Sequence, residues 1–311
     1  MILAPRVAIL VPCYNEATTF AKVVGDFRRV LPNATIHVVD NKSVDGTAAR
    51  ALEAGAQVRS VRLQGKGHVV RRLFADVEAD VYLLVDGDDT YHADSADQLV
   101  QLVWRQGHDM AVAVREATVE AAYRVGHVFG NRLLTGFLAW LFGRPCRDVL
   151  SGYRAFSRRF VKSFPVLSAG FEIETELTVH ALELHMPVGE VVTPYKDRPE
   201  GSVSKLNTWG DGFRILRTIV RLFNAERPLA FYGAASMLFA TTAMVLAVPL
   251  VLTWLHTGEV PRLPTAVLAT GLMLVAALSA TAGIVLDMVA RGRREAKMLA
   301  YVALVAPGNT R

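Results

Sequence analysis

The first 114 residues alternate between short apolar runs and segments in which apolar residues recur at helical spacing. The apolar runs predict strands at 7–11, 35–39, 57–63, 81–85 and 110–114. The segments between them predict helices at 18–30, 47–54 and 65–79. Strands that alternate with helices in this way indicate an α/β fold, in which a mainly parallel sheet is covered by helices on both faces.

The remainder of the chain is predicted to be helical over long stretches. Helical spacing appears at 119–142, 170–185 and 209–223. In the last of these, Arg214, Arg217 and Arg221 alternate with apolar side chains, which favours a helix lying in a membrane interface. The alternative is a helix packed on the first domain. Uncharged segments at about 229–255 and 264–287 are each long enough to cross a bilayer.

These patterns predict three regions along the chain. Residues 1–205 would form the α/β domain, 206–227 the amphipathic interfacial helix, and 228–311 a membrane anchor with two transmembrane helices and a cytoplasmic tail. Arginines precede and follow the two apolar segments, whereas Arg262 is the one arginine or lysine in the loop that connects them. The positive-inside rule then places both ends in the cytoplasm and the loop outside. We expect a multi-pass protein of the inner (cytoplasmic) membrane, with residues 1–205 in the cytoplasm.

Composition narrows the partners. The chain carries a formal net charge of +5 and is 52% hydrophobic. Its positive charge concentrates at the membrane flanks, which favours lipid headgroups over nucleic acid. The two cysteines, Cys13 and Cys146, encode neither a disulfide framework nor a zinc site.

Polar clusters follow three of the predicted strands, at 14–16, 40–45 and 86–89. In parallel sheets, ligands bind beyond the carboxyl ends of the strands. The cluster after 81–85 holds Asp86, Asp88 and Asp89, and hard carboxylate oxygens at this density suit Mg²⁺ or Mn²⁺ shared with substrate phosphates. The alternative is a solvated acidic turn. The dinucleotide fingerprint and the P-loop spacing are both missing from the sequence.

Four motifs occur in order along the chain: V-P-C-Y-N-E at 11–16, D-N-K-S-V-D-G-T at 40–47, G-K-G at 65–67 and D-G-D at 86–88. Taken together, these motifs resemble those of family 2 glycosyltransferases with the GT-A fold. The motifs at 147–158, 170–177 and 195–205 are similar to those of dolichol-phosphate mannosyltransferase-like enzymes and their bacterial polyprenyl-phosphate relatives. Asn41-Lys42 departs from the more common Asp-Gly of the family.

The resemblance implies a site for a nucleotide-sugar donor. Asp86 and Asp88 would bind Mg²⁺ or Mn²⁺ on the donor diphosphate and, with Arg198, are the expected catalytic residues. The residues expected to bind the nucleotide sugar are Pro12, Tyr14, Glu16, Asp40, Lys66, Asp86, Gly87 and Asp88. Lys66 is equally well read as a surface lysine, and the role of Asp89 is left open.

The implied acceptor is a polyprenyl phosphate. A lipid phosphate is already an anion near neutral pH, so it needs positioning by cations more than it needs a general base. The expected ligands are Arg115, Arg124, Arg132, Arg198, Ser204 and Lys205. Asp148 is expected to order its loop or approach the donor sugar, and Glu172, Glu174 and Glu176 form either a solvated first helical turn or part of the site.

The expected activity is inverting, metal-dependent transfer of a single sugar in cell-envelope glycan biosynthesis. The Q-x-x-R-W motif of processive synthases is absent, which favours one sugar per turnover. A UDP-sugar such as UDP-glucose or UDP-N-acetylhexosamine is favoured over GDP-mannose, and the acceptor is undecaprenyl or dolichyl phosphate. Two alternatives remain: the same fold acting on a lipid or protein hydroxyl, with Asp148 or Glu174 as base, and a non-catalytic membrane scaffold. Homo-oligomerisation is left open.

Overall fold

The computed structural model describes residues 4–116, 125–143, 147–168, 170, 172–194, 196 and 208–308. The chain divides into two compact units. The first comprises residues 1–215 together with 297–311, and the second comprises residues 216–296.

The first unit is built on one sheet, to which the described residues contribute seven strands. These are β1 (Val7–Cys13), β2 (Thr35–Asp40), β3 (Gln57–Ser60), β4 (Val81–Leu84), β5 (Met110–Glu116), β6 (Arg154–Ser157) and β7 (Val188–Pro194). Their order across the sheet is β3-β2-β1-β4-β6-β5-β7. All neighbouring pairs are parallel except those made by β6, which runs antiparallel to β4 and to β5. The mainly parallel sheet confirms the predicted α/β class.

Helices cover both faces of this sheet. They are α1 (Phe20–Val30), α2 (Thr47–Glu53), α3 (Lys66–Asp76), α4 (Ala96–Trp104), α5 (Val125–Phe142), α6 (Arg158–Ser163) and α7 (Ile173–Glu183). β4 shows why two faces are needed, because all four of its residues are buried. Leu83 packs into a core with α1 and α4, whereas Tyr82 and Leu84 pack into a second core with α3 and α7.

The structure adds two strands that the apolar pattern does not predict, β6 and β7. β6 lies between β4 and β5, where it is buried although its sequence is Arg-Ala-Phe-Ser. Conversely, the strand predicted at 57–63 ends at Ser60.

The C-terminal part of the chain is helical, with α8 (Thr208–Glu226), α9 (Pro228–Thr257) and α10 (Leu263–Val302). Among the described residues, α9 and α10 are the helices long and apolar enough to cross a membrane. α10 runs through Val302, well past the predicted end of the second apolar segment. Residues 297–311, predicted as a tail of the anchor, fall in the first unit.

Candidate active site

The three polar clusters predicted from sequence follow β1, β2 and β4 at one edge of the sheet. Cys13 is paired with Asp40 across β1 and β2, and Val85 donates its backbone N–H to Leu10 across β4 and β1. Because these strands are parallel, their carboxyl ends meet at the same edge.

Two glycines allow the carboxylates of this edge to approach the backbone. A Cβ on Gly87 would overlap Glu16 Oε2, and a Cβ on Gly152 would overlap Asp86 Oδ2. Thr19 Oγ1 also donates a hydrogen bond of 2.7 Å to the carbonyl oxygen of Gly87. The absence of a Cβ at Gly87 and Gly152 therefore lets the segment before α1 and the loop before β6 lie against the acidic turn.

Lys66 lies between two carboxylates at the start of α3. Its Nζ is 2.5 Å from Asp86 Oδ1 and 2.5 Å from Glu174 Oε1, at the start of α7. Burial alone would lower the pKa of Lys66, but the charges and hydrogen bonds of Asp86 and Glu174 outweigh it and hold that pKa above its usual value. Lys66 is therefore a buried cation of the acidic turn and not a surface lysine.

Of the three glutamates at the start of α7, Glu174 is the one that reaches this cluster. It is 5% exposed, which excludes the solvated first turn for this residue. Glu176 instead accepts hydrogen bonds of 2.9 Å from the backbone N–H groups of Leu167 and Ser168. Its role is to order the segment that precedes α7.

Asp88 and Asp89 are both buried, but they point to different partners. Asp88 Oδ1 accepts hydrogen bonds from Thr90, at 2.6 Å from Oγ1 and 3.3 Å from the backbone nitrogen. Asp89 has a φ of +55° and forms ion pairs with Lys22 and Lys196. Burial alone would raise the pKa of Asp89, but the hydrogen bonds from the two lysines hold it below its usual value.

The residues expected around the nucleotide occupy the ends of β1 and β2. Pro12 is paired with Val39, and Tyr14 is half-buried just beyond β1. Both carboxylate oxygens of Asp40 face the backbone N–H of Ser43, at 3.2 and 3.3 Å. Acceptance of hydrogen bonds from a base by Asp40 stays a prediction.

At the end of β5, the half-buried Arg115 forms an ion pair with the buried Asp148. The guanidinium contacts both carboxylate oxygens, at 2.7 and 2.8 Å. Burial alone would raise the pKa of Asp148, but hydrogen bonding and charge from Arg115 lower it. Asp148 also accepts a hydrogen bond from the backbone N–H of Leu150 at 3.2 Å, so it orders its own loop.

Arg154 stabilises the same loop, which precedes β6, through hydrogen bonds to its backbone. Its fully buried guanidinium donates to the carbonyl oxygens of Val149 and Ser151 and to Thr178 Oγ1. Because Gly152 of this loop contacts Asp86, Arg154 supports the acidic turn indirectly. Arg154 lies within the 147–158 motif, but the sequence alone indicates no role for it.

The family of the chain follows from comparison with known proteins. Residues 8–163 match the family model described as glycosyl transferase family 2. Glycosyltransferase AglJ of Haloferax volcanii is 36% identical over 251 residues, which span 80% of this chain and 82% of AglJ. The chain belongs to glycosyl transferase family 2. It is therefore a transferase, as the motifs predict.

Two further proteins are similar to this family 2 chain. The dolichol-phosphate mannosyltransferase of Pyrococcus furiosus is 26% identical over 233 residues, covering 71% of this chain and 64% of that protein. Glucosyl-3-phosphoglycerate synthase from Mycobacterium tuberculosis superposes with a TM-score of 0.58 at 22% identity, over 71% of this chain and 80% of the other. The superposition confirms the GT-A fold. The same synthase has also been crystallised with Mn²⁺ and UDP-glucose.

The acidic turn at residues 86–89 fits a divalent cation that takes some of its ligands from the protein and the others from a substrate. The described residues contain no group of three or more His, Cys, Asp or Glu side chains that would hold a metal. Asp86 and Asp88 nonetheless supply hard carboxylate oxygens, and Mg²⁺ is commonly held by one or two carboxylates together with substrate phosphates. These two carboxylates are the candidate metal ligands.

Most of the predicted phosphate-binding residues cannot be placed. Arg124, Arg198, Ser204 and Lys205 lie outside the described residues, and Arg132 lies on α5 in the part whose side chains are not described. Lys196, at the start of the 195–205 motif, is described, and it contacts the acidic turn. The sequence does not indicate the roles of Lys196 and Lys22, because neither pairing with Asp89 is local in the sequence.

Proposed function

We propose that this family 2 glycosyltransferase moves a single sugar from a nucleoside diphosphate sugar to a polyprenyl phosphate at a membrane. The observation that carries the proposal is the cluster of Lys66, Asp86 and Glu174 beside Asp88 at the carboxyl edge of the sheet. A fixed cation next to carboxylates suited to a metal is what a diphosphate leaving group requires. We favour a UDP-sugar, with GDP-mannose as the donor to test beside it.

On the donor side, Lys66 would bind a diphosphate oxygen while Glu174 holds its ammonium group in place. Asp86 and Asp88 would hold Mg²⁺ or Mn²⁺. When bound, the cation would neutralise charge that develops on the departing nucleoside diphosphate. Pro12, Tyr14, Glu16 and Asp40, which follow β1 and β2 at the same edge, would receive the nucleoside.

On the acceptor side, the proposal requires no general base. A lipid phosphate carries its own negative charge and attacks once cations have positioned it. We assign that positioning to Arg124, Arg132, Arg198, Ser204 and Lys205, together with Arg115. Arg115 would have to share its guanidinium with Asp148, which already contacts it at 2.7 Å. Inversion at the sugar carbon follows from direct attack opposite the leaving diphosphate.

The alternative, transfer to an uncharged hydroxyl, does need a base, and the structure disfavours both candidates. Asp148 is ion-paired with Arg115, which lowers its pKa and weakens it as a proton acceptor. Glu174 is ion-paired with Lys66. A phosphate acceptor therefore accounts better for a site whose buried carboxylates are already committed to cations.

The lipid part of the proposal is supported by the second unit and by the relatives. In the most apolar stretches of α9 and α10, only 6% and 11% of the helix is buried. The core helices of a soluble protein are mostly buried. We infer that both cross the inner membrane, with the family 2 domain in the cytoplasm where sugar nucleotides are made. Membrane lipids are then direct partners.

The test is transfer of label from a nucleotide sugar into lipid. Membranes containing the full chain are incubated with undecaprenyl phosphate, Mg²⁺ or Mn²⁺, and a panel of labelled UDP- and GDP-sugars. We expect label in the organic extract with one donor, and Asp88→Asn should lower the rate by about a hundredfold or more. Asp94→Asn is the matched control, because it changes an exposed carboxylate near the same turn. A wild-type chain that labels no lipid with any donor would overturn the proposed function.

A further inference from the structure

The carboxylate of Asp86 lies between two groups that come from distant parts of the chain. Its Oδ1 is 2.5 Å from Lys66 Nζ. Its other oxygen, Oδ2, lies so close to Gly152 that a Cβ on this glycine would overlap it. One side of the carboxylate therefore faces a cation, and the other side faces the backbone of the loop before β6.

The position of Gly152 is set in turn by Tyr91. The backbone N–H of Gly152 donates a buried hydrogen bond of 2.9 Å to the hydroxyl oxygen of Tyr91. Tyr91 is 5% exposed, so solvent has little access to this bond. A buried N–H group that loses its acceptor is costly, and the hydroxyl of Tyr91 therefore fixes where this part of the loop lies.

Tyr91 belongs to the same segment of the chain as both candidate metal ligands. It lies five residues after Asp86 and three residues after Asp88. The loop is also tied to β5, because Ser151 Oγ donates a hydrogen bond of 2.7 Å to the carbonyl oxygen of Ala113. The segment that carries the two carboxylates thus also carries the hydroxyl that brings the loop against the first of them.

The neighbouring Tyr153 provides an internal comparison. The rings of Tyr91 and Tyr153 lie 5.3 Å apart, and Tyr153 is fully buried. Among the described residues, the hydroxyl of Tyr153 has no hydrogen-bond partner. The two tyrosines share one aromatic contact and differ in whether the hydroxyl binds the loop.

We propose that Tyr91 is a positioning residue for the metal site. Its hydroxyl holds the backbone N–H of Gly152, and Gly152 keeps the carboxylate of Asp86 in the orientation from which it shares a cation with Asp88. Tyr91 acts through Gly152 and needs no contact of its own with the cation. The inference deepens the proposed function and rests on it for the presence of Mg²⁺ or Mn²⁺.

The binding test compares Tyr91→Phe with Tyr153→Phe in detergent-solubilised full-length chain. Each change removes one hydroxyl from the same pair of rings, so the two variants are matched. With UDP saturating, the Kd for Mn²⁺ is read from the electron paramagnetic resonance of the free ion. We expect it to rise about tenfold in Tyr91→Phe, the equivalent of one buried hydrogen bond. In Tyr153→Phe it should stay within about twofold of wild type, as should the affinity of both variants for UDP without metal.

Kinetics separate this role from catalysis and from folding. The Mn²⁺ concentration that gives half-maximal transfer should rise about tenfold in Tyr91→Phe, while kcat at saturating Mn²⁺ stays within about threefold of wild type. Both variants are assayed well below their unfolding temperatures, so that lost stability does not lower the affinity. Gly152→Ala should weaken Mn²⁺ binding further, because its Cβ would overlap the carboxylate of Asp86.

A metal-free arm measures hydrogen exchange in the peptide that contains Gly152. Its amide should exchange faster in Tyr91→Phe than in wild type and in Tyr153→Phe, because it has lost its acceptor. Equal exchange, or equal Mn²⁺ affinity in the two tyrosine variants, would overturn the positioning role. A wild-type chain that binds no Mn²⁺ beside UDP would overturn it as well, since Asp86 would then hold no cation. A wild-type chain that binds Mn²⁺ beside UDP but labels no lipid refutes the proposed acceptor alone.

Discussion

At the residue scale, the candidate site pairs carboxylates with lysines, and several of these side chains are buried. Lys66 sits between Asp86 and Glu174, and Asp89 sits between Lys22 and Lys196. A buried charge is tolerated when it is paired, and removing one partner leaves the other in an environment that disfavours it. Each side chain therefore contributes to stability as well as to any ligand it binds.

For Lys66, two variants separate the contribution to stability from the contribution to ligand binding. Lys66→Met should destabilise the first unit by about 3 kcal/mol, because Asp86 and Glu174 lose their buried cation. Lys66→Met combined with Glu174→Gln should recover much of that stability, since the buried carboxylate is neutralised as well. Neither variant should bind a nucleoside diphosphate as wild type does.

The measurement is thermal unfolding in detergent with and without UDP and Mn²⁺. Lys22→Met provides a matched lysine change on the other side of the turn, and it should keep the ligand-induced shift. If the double variant regained the wild-type shift in unfolding temperature with UDP, Lys66 would not be a diphosphate ligand.

At this scale, the sequence points to residues whose chemistry is local. The D-G-D motif and the G-K-G motif point to Asp86, Asp88 and Lys66 because each follows a recognisable strand or opens a helix. The pairing of Lys66 with Glu174 spans 108 residues, so the sequence left Glu174 evenly balanced between a solvated turn and the site. Asp89 stayed unassigned for the same reason.

At the element scale, strands with continuous apolar runs were predictable, and β6 was not. β1, β2, β4 and β5 are apolar because helices cover both faces. β6 contains Arg154 and Ser157, and its burial depends on partners elsewhere: Arg154 reaches Val149, Ser151 and Thr178. Such tertiary compensation leaves no periodic signal in the sequence.

The end of α10 is a second element whose role appears only in three dimensions. Tyr301 packs beside the core that contains Phe160, and its hydroxyl donates to Asp109 Oδ2 at 2.7 Å. Asp109 is fully buried and also contacts Arg159 and Ser157. Residues after 297 are therefore an integral part of the first unit.

Tyr301→Phe tests that attachment. Loss of one hydrogen bond to a buried carboxylate should lower the free energy of unfolding by about 2 kcal/mol, read as a lower unfolding temperature in detergent. Tyr232→Phe is the matched control, because it removes the same hydroxyl from a half-buried tyrosine of the second unit. If both variants unfolded at the wild-type temperature, the tail would not be anchored through Asp109.

At the scale of the whole molecule, the chain combines a GT-A domain with two apolar helices. The first two thirds of the chain carry the motifs that predicted the family. The two apolar segments predicted helices, and α9 and α10 are both longer than the predicted segments. The proposal of a phosphate acceptor draws on the sequence motifs and on the ion pairs that commit Asp148 and Glu174 to cations.

The central claim is that the nucleophile is a lipid phosphate. The most direct test compares two acceptor lipids, one with and one without the phosphate. Purified full-length chain is given the preferred labelled nucleotide sugar and Mn²⁺ with either undecaprenyl phosphate or undecaprenol, which differ by the phosphate alone. The account predicts labelled lipid with undecaprenyl phosphate and at least about a hundredfold less with undecaprenol, for want of an available base. Equal transfer to the two lipids, or transfer to undecaprenol alone, would contradict it.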